Sequence, residues 1–170
     1  MTANYKLDAM TELRKFLWSQ LLDYEIFNAE DYYSDNIGKE IIPIIPVQQA
    51  AELNQFLSGK KHMVYDKIGM SYEDNWMICC EQILFTVYST DITDINEIRN
   101  FMTDEFRRMD ESAKDVRNSG IVSDKIKFHS IFVADISPTT PSEELQGFLS
   151  SDIVLEIKYS RILDNSGRFI

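Results

Sequence analysis

The sequence predicts an α+β domain: a mixed or antiparallel sheet with a central hairpin, packed by a long amphipathic helix and an N-terminal helix. The run from Trp76 to Ser89 (WMICCEQILFTVYS) is apolar on both faces, which is typical of a central strand covered on both sides. Apolar residues then recur at helical spacing as far as Val116. Later strand patterns do not alternate with helices, and this argues against a parallel sheet built from βαβ units.

Length and composition set the class of protein. With 170 residues, 44% of them hydrophobic, we expect residues 1–170 to form one globular domain. No apolar run approaches the roughly 20 residues of a membrane helix. Residues 1–8 lack the basic and apolar regions of a signal peptide. The sequence therefore predicts a soluble, intracellular protein.

The charge balance bears on possible partners. The formal net charge is −11, from 28 acidic and 17 basic residues. Nonspecific DNA binding requires a basic face that releases counterions, so the balance argues against a nucleic-acid-binding module. An acidic surface repels a passing polyanion and therefore fits a conduit better than a clamp.

The first predicted element is an amphipathic helix. Apolar side chains recur at spacings of three and four from Leu7 to Leu22, with charged residues between them. Residues 28–38, which are polar and include Tyr32 and Tyr33, predict a loop.

An extended arm comes next, over Glu40–Val47, which contains the run IIPIIPV. The β-branched residues favour a strand, but Pro43 and Pro46 cannot donate to a ladder, so we expect an edge strand or an irregular arm. Residues 48–57 fit either a short helix that ends before Gly59 or an irregular segment.

A hairpin is predicted in the middle of the chain. Residues His62–Ser71 fit a strand, and the polar residues Tyr72–Asn75 fit the turn that leads into Trp76–Ser89. Cys79 and Cys80 are adjacent on that strand and point to opposite faces. We therefore expect two reduced thiols and no disulfide between them.

The long helix follows the hairpin. Asp94, with Glu97 three residues later, resembles a capping box with aspartate as the cap. Apolar residues at spacings of three and four then predict a helix to about Asn118, ending before Gly120.

Two more strands are predicted in the last third of the chain. Apolar residues alternate over Ile126–Ile136, and the residues Ser137–Pro141 interrupt the pattern. A second alternating segment, Ile153–Ser160, has one polar face. We expect residues 163–170 to form a mobile C-terminal tail.

The sequence contains no Gly-rich phosphate loop and no GxSxG motif, and His62 and His129 lie far apart. We therefore predict a protein that is not an enzyme and that holds no metal or cofactor. One alternative is a metal-dependent nuclease. Asp135 followed by Glu156-Ile-Lys158 resembles the core of restriction-like nucleases, in which two carboxylates hold Mg²⁺ and a lysine stabilises phosphate charge. A Glu–Lys pair on the polar face of a strand explains the same residues without catalysis.

At the level of the whole chain, the sequence resembles the tail terminator, or tail completion, proteins of contractile-tailed, T-even-like bacteriophages. The amino-acid sequence of residues 41–160 is similar to that of terminator and neck proteins of marine cyanophages. The segments that carry the resemblance are IIPIIPVQQ, WMICCEQILFTVYSTD, INEIRNFMTDEFRRMDESAKD, KFHSIFVADISP and SDIVLEIKYSRI.

The resemblance implies a hexameric ring that caps the head-proximal end of the tail tube and joins the tail to the neck. The implied partners are further copies of the chain, the tail tube protein, the sheath protein and neck or connector proteins. Genome DNA would pass through the ring without specific binding. The implied location is the tail–neck region of the virion, after synthesis in the host cytoplasm, with no membrane involved. Another head–tail connector of the neck is the closest alternative.

A closed ring needs two different complementary patches on each subunit. Strand edges can supply one through backbone pairing, and the sequence offers Glu40–Val47 and Asp152–Arg161 as candidate edges. The Arg107–Arg108 pair could recognise a partner, although it also fits an ordinary solvated helix face. The candidate interface residues are Ile41, Ile42, Ile44, Ile45, Tyr72, Arg107, Arg108, Glu156, Lys158 and Arg161.

Overall fold

The structure is a computed structural model that describes residues 8–73, 78–106 and 126–161. The described residues form short helices and strands, one long hairpin and one pair of long C-terminal strands. In chain order the elements are α1 (Ala9–Asp23), β1 (Tyr33–Ser34), β2 (Lys39–Glu40), β3 (Ile44–Pro46), α2 (Ala50–Leu53), β4 (His62–Tyr72), β5 (Cys79–Ser89), α3 (Ile92–Glu105), β6 (Ile126–Ile136), β7 (Thr140–Pro141) and β8 (Leu149–Arg161). Two 3₁₀ turns, Ala29–Tyr32 and Val47–Gln49, precede β1 and α2.

The main sheet has the strand order β3-β4-β5-β8-β6, and β7 pairs with the beginning of β8. The β3–β4 pair is parallel and the other pairs are antiparallel, so the sheet is mixed. The α+β class with a mixed sheet is therefore confirmed. β5 is the middle strand and forms the predicted hairpin with β4.

In the described part of the chain, helices cover one face of this sheet, and the other face is covered only at one end, where Phe148 packs against His62 and Tyr88. On β5, the side chains of Ile83, Phe85 and Val87 are buried in one core with apolar residues of α1 and α3, whereas the alternate residue Gln82 is exposed and Leu84 is half-buried. The expectation that the central strand is covered on both sides is therefore wrong for the middle of β5. We call the side on which the described residues place no helix the open face. Its residues on the central strands are Val64, Asp66, Cys80, Gln82, Leu84, Thr86, Asp152, Val154, Glu156 and Lys158.

The two helices of the core begin at aspartate caps. Asp8 caps α1 by accepting a hydrogen bond from the backbone N–H of Met10, and Asp91 caps α3 through the N–H of Thr93. The predicted cap of the second helix, Asp94, lies inside its first turn, where it accepts a hydrogen bond from the Ser89 hydroxyl at 2.8 Å. α3 ends at Glu105, where Phe106 leaves the helical conformation, so the prediction of one unbroken helix to about residue 118 is wrong; residues 107–118 themselves lie outside the described range.

The proline-containing arm forms the predicted edge strand. β3 contains three residues, and the 3₁₀ turn at Val47 follows Pro46 directly. Arg14 of α1 holds the arm in place: its Nε donates to the carbonyl of Ile44 at 2.6 Å, and its Nη2 donates to the carbonyl of Ile42 at 3.3 Å. The helix layer thus holds the beginning of β3 in place.

Candidate interaction surfaces

The arm contributes more to the core than to the surface. The side chains of Ile44 and Ile45 are essentially inaccessible, Ile41 is buried, and Ile42 is half-buried. Four of the candidate interface residues therefore direct most of their apolar area into the subunit itself. A contact made by this segment would have to use its backbone or its exposed neighbour Val47.

The last strand is not a sheet edge. β8 pairs with β5 on one side and with β6 on the other along most of its length. The expectation that Asp152–Arg161 forms an exposed edge is therefore wrong. Glu156 and Lys158 face the open side of the sheet, so a contact with a partner would involve their side chains and not their backbone.

The exposed edge lies instead on β4. β3 pairs with β4 only at Met63, Val64 and Tyr65, because β3 ends at Pro46. From Asp66 to Tyr72, no strand in the described part of the chain pairs with the outer side of β4. We call these seven residues the distal edge.

The distal edge carries the most exposed apolar side chains of the sheet. Ile68, Met70 and Tyr72 are 49%, 58% and 62% exposed. A β-bulge between Lys67 and Gly69 shifts the register in the middle of the segment. A long, apolar strand edge with unpaired backbone groups is a template for pairing with another chain, and isolated subunits normally protect it. Tyr72, a candidate from the sequence, is therefore part of a wider apolar surface.

Beside the distal edge lies a buried polar cluster that the sequence reasoning did not identify. Glu81 of β5 is 1% exposed and points toward the helix layer, opposite Met70 on β4 and Ile157 on β8. The Tyr159 hydroxyl donates a hydrogen bond to Oε1 of Glu81 at 2.5 Å. Oε2 has no hydrogen-bond partner among the described residues, and the Lys67 ammonium lies 3.9 Å from it. The sequence pattern that could have identified Glu81 is its position two residues before Ile83, because alternate residues of a strand share one face.

Lys67 links this buried carboxylate to the beginning of α1. Its Nζ lies 2.7 Å from Oδ2 of Asp8, the cap residue, and 3.9 Å from Oε2 of Glu81. Partial burial by itself would lower the pKa of Lys67, but the hydrogen bond to Asp8 and the charge of Glu81 outweigh it, so the pKa is raised. Burial and the hydrogen bond to Glu81 raise the pKa of Tyr159, so its hydroxyl is a proton donor at all ordinary pH values.

The residues of the nuclease alternative share the open face, but each contacts a different group. Asp135 lies opposite Val154, two positions away from Glu156 along β8. The Asp135 carboxylate accepts a hydrogen bond from the backbone N–H of Ile136. The Lys158 ammonium pairs with Glu73 at 2.7 Å.

The remaining member, Glu156, accepts a weak hydrogen bond from the Cys80 thiol at 3.6 Å. Among residues 8–73, 78–106 and 126–161, no group of three or more His, Cys, Asp or Glu side chains is placed to hold a metal ion. No contact described here favours the nuclease alternative, and it stays a prediction.

The remaining candidates lie outside the described residues. These are Arg107, Arg108 and the predicted tail, 163–170. Arg161 is the last described residue; it ends β8, opposite Ile126 of β6.

The chain was also compared with known proteins. It matches no protein-family model and no curated protein sequence. No helix in the described residues is long and apolar enough to cross a membrane.

Proposed function

We propose that this chain is a structural protein of a bacteriophage virion, a tail terminator whose copies form a ring, six by the resemblance. The ring caps the tail tube, limits tube length and joins the tail to neck or connector proteins, with the sheath protein as a further neighbour. Its role is structural and not enzymatic, and its location is the tail–neck region of the virion.

The distal edge is the observation that carries this proposal. A subunit that functions alone gains nothing from three apolar side chains, Ile68, Met70 and Tyr72, next to unpaired strand backbone. A subunit that assembles can bury this surface in a neighbour through β-augmentation, in which the backbone provides affinity and the side chains provide specificity.

The open face is consistent with the same role. It combines half-buried apolar residues such as Leu84 and Val154 with the carboxylates of Asp66, Asp152 and Glu156. The net charge of −11 gives the assembled surface an acidic character. DNA that passes such a surface is repelled rather than held, as a channel requires.

Light scattering after size-exclusion chromatography, combined with electron microscopy of tail tubes polymerised with and without the protein, tests the proposal. We expect a closed oligomer, or ring formation upon contact with tube ends, and tubes that stop growing when the protein is added. Met70→Lys combined with Tyr72→Lys should abolish both effects, because charged side chains on an edge oppose strand pairing.

The matched control is Asn96→Lys combined with Asn100→Lys, which places the same two charges on exposed positions of α3 far along the chain from the distal edge. This variant should assemble like the wild type. A wild-type protein that stays monomeric at all concentrations, binds no tube ends and leaves tube length unchanged would refute the proposed function.

A further inference from the structure

We propose that the distal edge of one subunit pairs with the segment Lys127–Ile131 of β6 of the next subunit, in antiparallel orientation, so that one continuous sheet runs around the oligomer. This inference rests on the proposed function and specifies its interface. The partner is a second copy of this chain, and the two surfaces are different, as a closing head-to-tail interface requires.

Strand directions allow this pairing. Along β4-β5-β8-β6 every neighbouring pair is antiparallel, so β4 and β6, at the two ends of this series, run in opposite directions. A copy that is rotated about an axis roughly parallel to the strands brings its β6 beside β4 in antiparallel orientation. The junction between subunits then repeats the pairing found inside each subunit.

The strand registers also show which residues lie level with each other across the sheet. Tyr72 pairs with Cys79, Cys79 with Tyr159, and Tyr159 with Phe128, so Tyr72 and Phe128 occupy the same row at opposite ends of the sheet. By the same steps, Met70 is level with Ile131. A neighbour docked without stagger would place Phe128 and Ile131 beside the exposed side chains of Tyr72 and Met70.

The contact is confined to Lys127–Ile131 of β6, whose outer side pairs with no strand in the described part of the chain. The backbone N–H of Val133 donates to the carbonyl of Phe106 at 3.1 Å, so the end of α3 covers the outer side of β6 at that point. The segment Lys127–Ile131 precedes this bond and is level with Met70–Glu73. This restriction also keeps Asp66 away from Asp135, which lies on its row and has the same charge.

Opposite charges lie at the outer end of the same contact. Glu73 follows Tyr72, and Lys127 precedes Phe128; both are exposed. Each lies one position beyond the Tyr72–Phe128 row, toward the same end of the sheet. In the docked pair the Lys127 ammonium therefore approaches the Glu73 carboxylate, whose partner within the subunit is the exposed ammonium of Lys158. An acidic side chain shared by two lysines suits a contact at the rim of an interface.

Cysteine cross-linking tests the inference on the full chain, under conditions in which the wild type is oligomeric. Glu73→Cys and Lys127→Cys each replace one exposed residue, so neither should disturb the fold. Three kinds of sample are compared: each single variant alone, a one-to-one mixture of the two, and one chain that carries both substitutions. Each sample is treated with an oxidant and, separately, with a short flexible bis-maleimide that tolerates a two-residue stagger. The wild type controls for Cys79 and Cys80, and Asn96→Cys mixed with Lys127→Cys is the matched control.

We expect the doubly substituted chain to give a ladder of covalent multimers up to the closed ring. The mixture of the two single variants should give only dimers, and each single variant alone should give none beyond the wild-type background. Strong cross-linking of Glu73→Cys with itself would show a two-fold contact and overturn the inference. So would an oligomeric double variant that yields no cross-links. A wild type that is monomeric in light scattering refutes the proposed function before any cysteine is introduced, so the two failures are distinguishable.

Discussion

Replacing Lys67 with methionine isolates the role of the buried carboxylate beside the distal edge. Methionine preserves most of the apolar length of the lysine side chain and removes only its charge. The Glu81 carboxylate, 1% exposed, then retains the Tyr159 hydroxyl at 2.5 Å but has no cation within ion-pair distance in the described part of the chain. The Lys67→Met variant should therefore be less stable than the wild type at neutral pH.

The size of the loss follows from the geometry. Removing one partner of a fully buried ion pair costs about 3–5 kcal/mol, because the other charge stays uncompensated. Here the distance is 3.9 Å and the Lys67 side chain is 37% exposed, so solvent screens part of the interaction. We expect a loss of about 2 kcal/mol in the free energy of unfolding, to which the exposed Asp8 pair contributes less than about 1 kcal/mol.

Urea unfolding monitored by tryptophan fluorescence at pH 7.5 measures this loss. In the double variant Lys67→Met, Glu81→Gln the penalty should be smaller than the sum of the two single losses, because the charge that requires compensation is absent. Asp8→Asn is the control, since it removes the other partner of Lys67 but can still cap α1.

Two outcomes would contradict this reasoning. One is a Lys67→Met variant that loses less than about 0.5 kcal/mol, the level of an ordinary surface substitution. The other is a loss that simply adds to that of Glu81→Gln. Either would mean that Glu81 does not depend on Lys67 for its charge compensation.

Three further predictions concern stability. Tyr159→Phe removes the one hydroxyl that donates to Glu81 and should cost about 1.5–3 kcal/mol in urea unfolding, because the acceptor is a buried carboxylate. Asp91→Ala removes the cap of α3, which accepts from the N–H of Thr93, and should cost about 1 kcal/mol, whereas Asp91→Ser should cost much less. Burial lowers the pKa of His62, so the unfolded chain binds a proton more readily than the folded chain does. The contribution of His62 to stability is therefore complete above pH 6.5 and decreases as the pH falls below that value. His62→Gln should flatten the pH dependence of the unfolding midpoint between pH 7.5 and pH 5.

Each of these predictions has an outcome that contradicts it. A Tyr159→Phe variant as stable as the wild type would mean that another donor reaches Glu81. Equal losses for Asp91→Ala and Asp91→Ser would mean that the cap hydrogen bond does not stabilise α3. A His62→Gln variant with the pH dependence of the wild type would mean that other groups cause the acid sensitivity.

The elements that the sequence predicted well are those that local patterns define. α1 follows from its apolar periodicity, and the hairpin of β4 and β5 follows from two apolar segments separated by a polar turn. The strand Ile126–Ile136 was predicted with the bounds that the structure gives. Pro43 and Pro46 identified the arm as an edge, because proline removes a backbone donor wherever the strand is placed.

Predictions that depend on neighbouring elements were wrong. Asp94 has the residue type and spacing of a cap, but Asp91 is the residue at which the chain turns away from β5 into α3. The last strand has an alternating polar face, as an edge strand often has, yet β6 pairs with its outer side. A strand pattern describes the two faces of a strand, whereas edge or interior position depends on pairing partners far away in sequence.

The sequence by itself determined the α+β class, the identity of the long strands and the apolar face of α1, because these depend on side-chain spacing along a few turns or residues. Only the tertiary structure decided that one sheet face stays open and that Glu81 is buried against Lys67. It also decided that the exposed edge belongs to β4. These features arise from the order of strands and from where β3 ends, and both are set by contacts between residues that lie far apart in the chain.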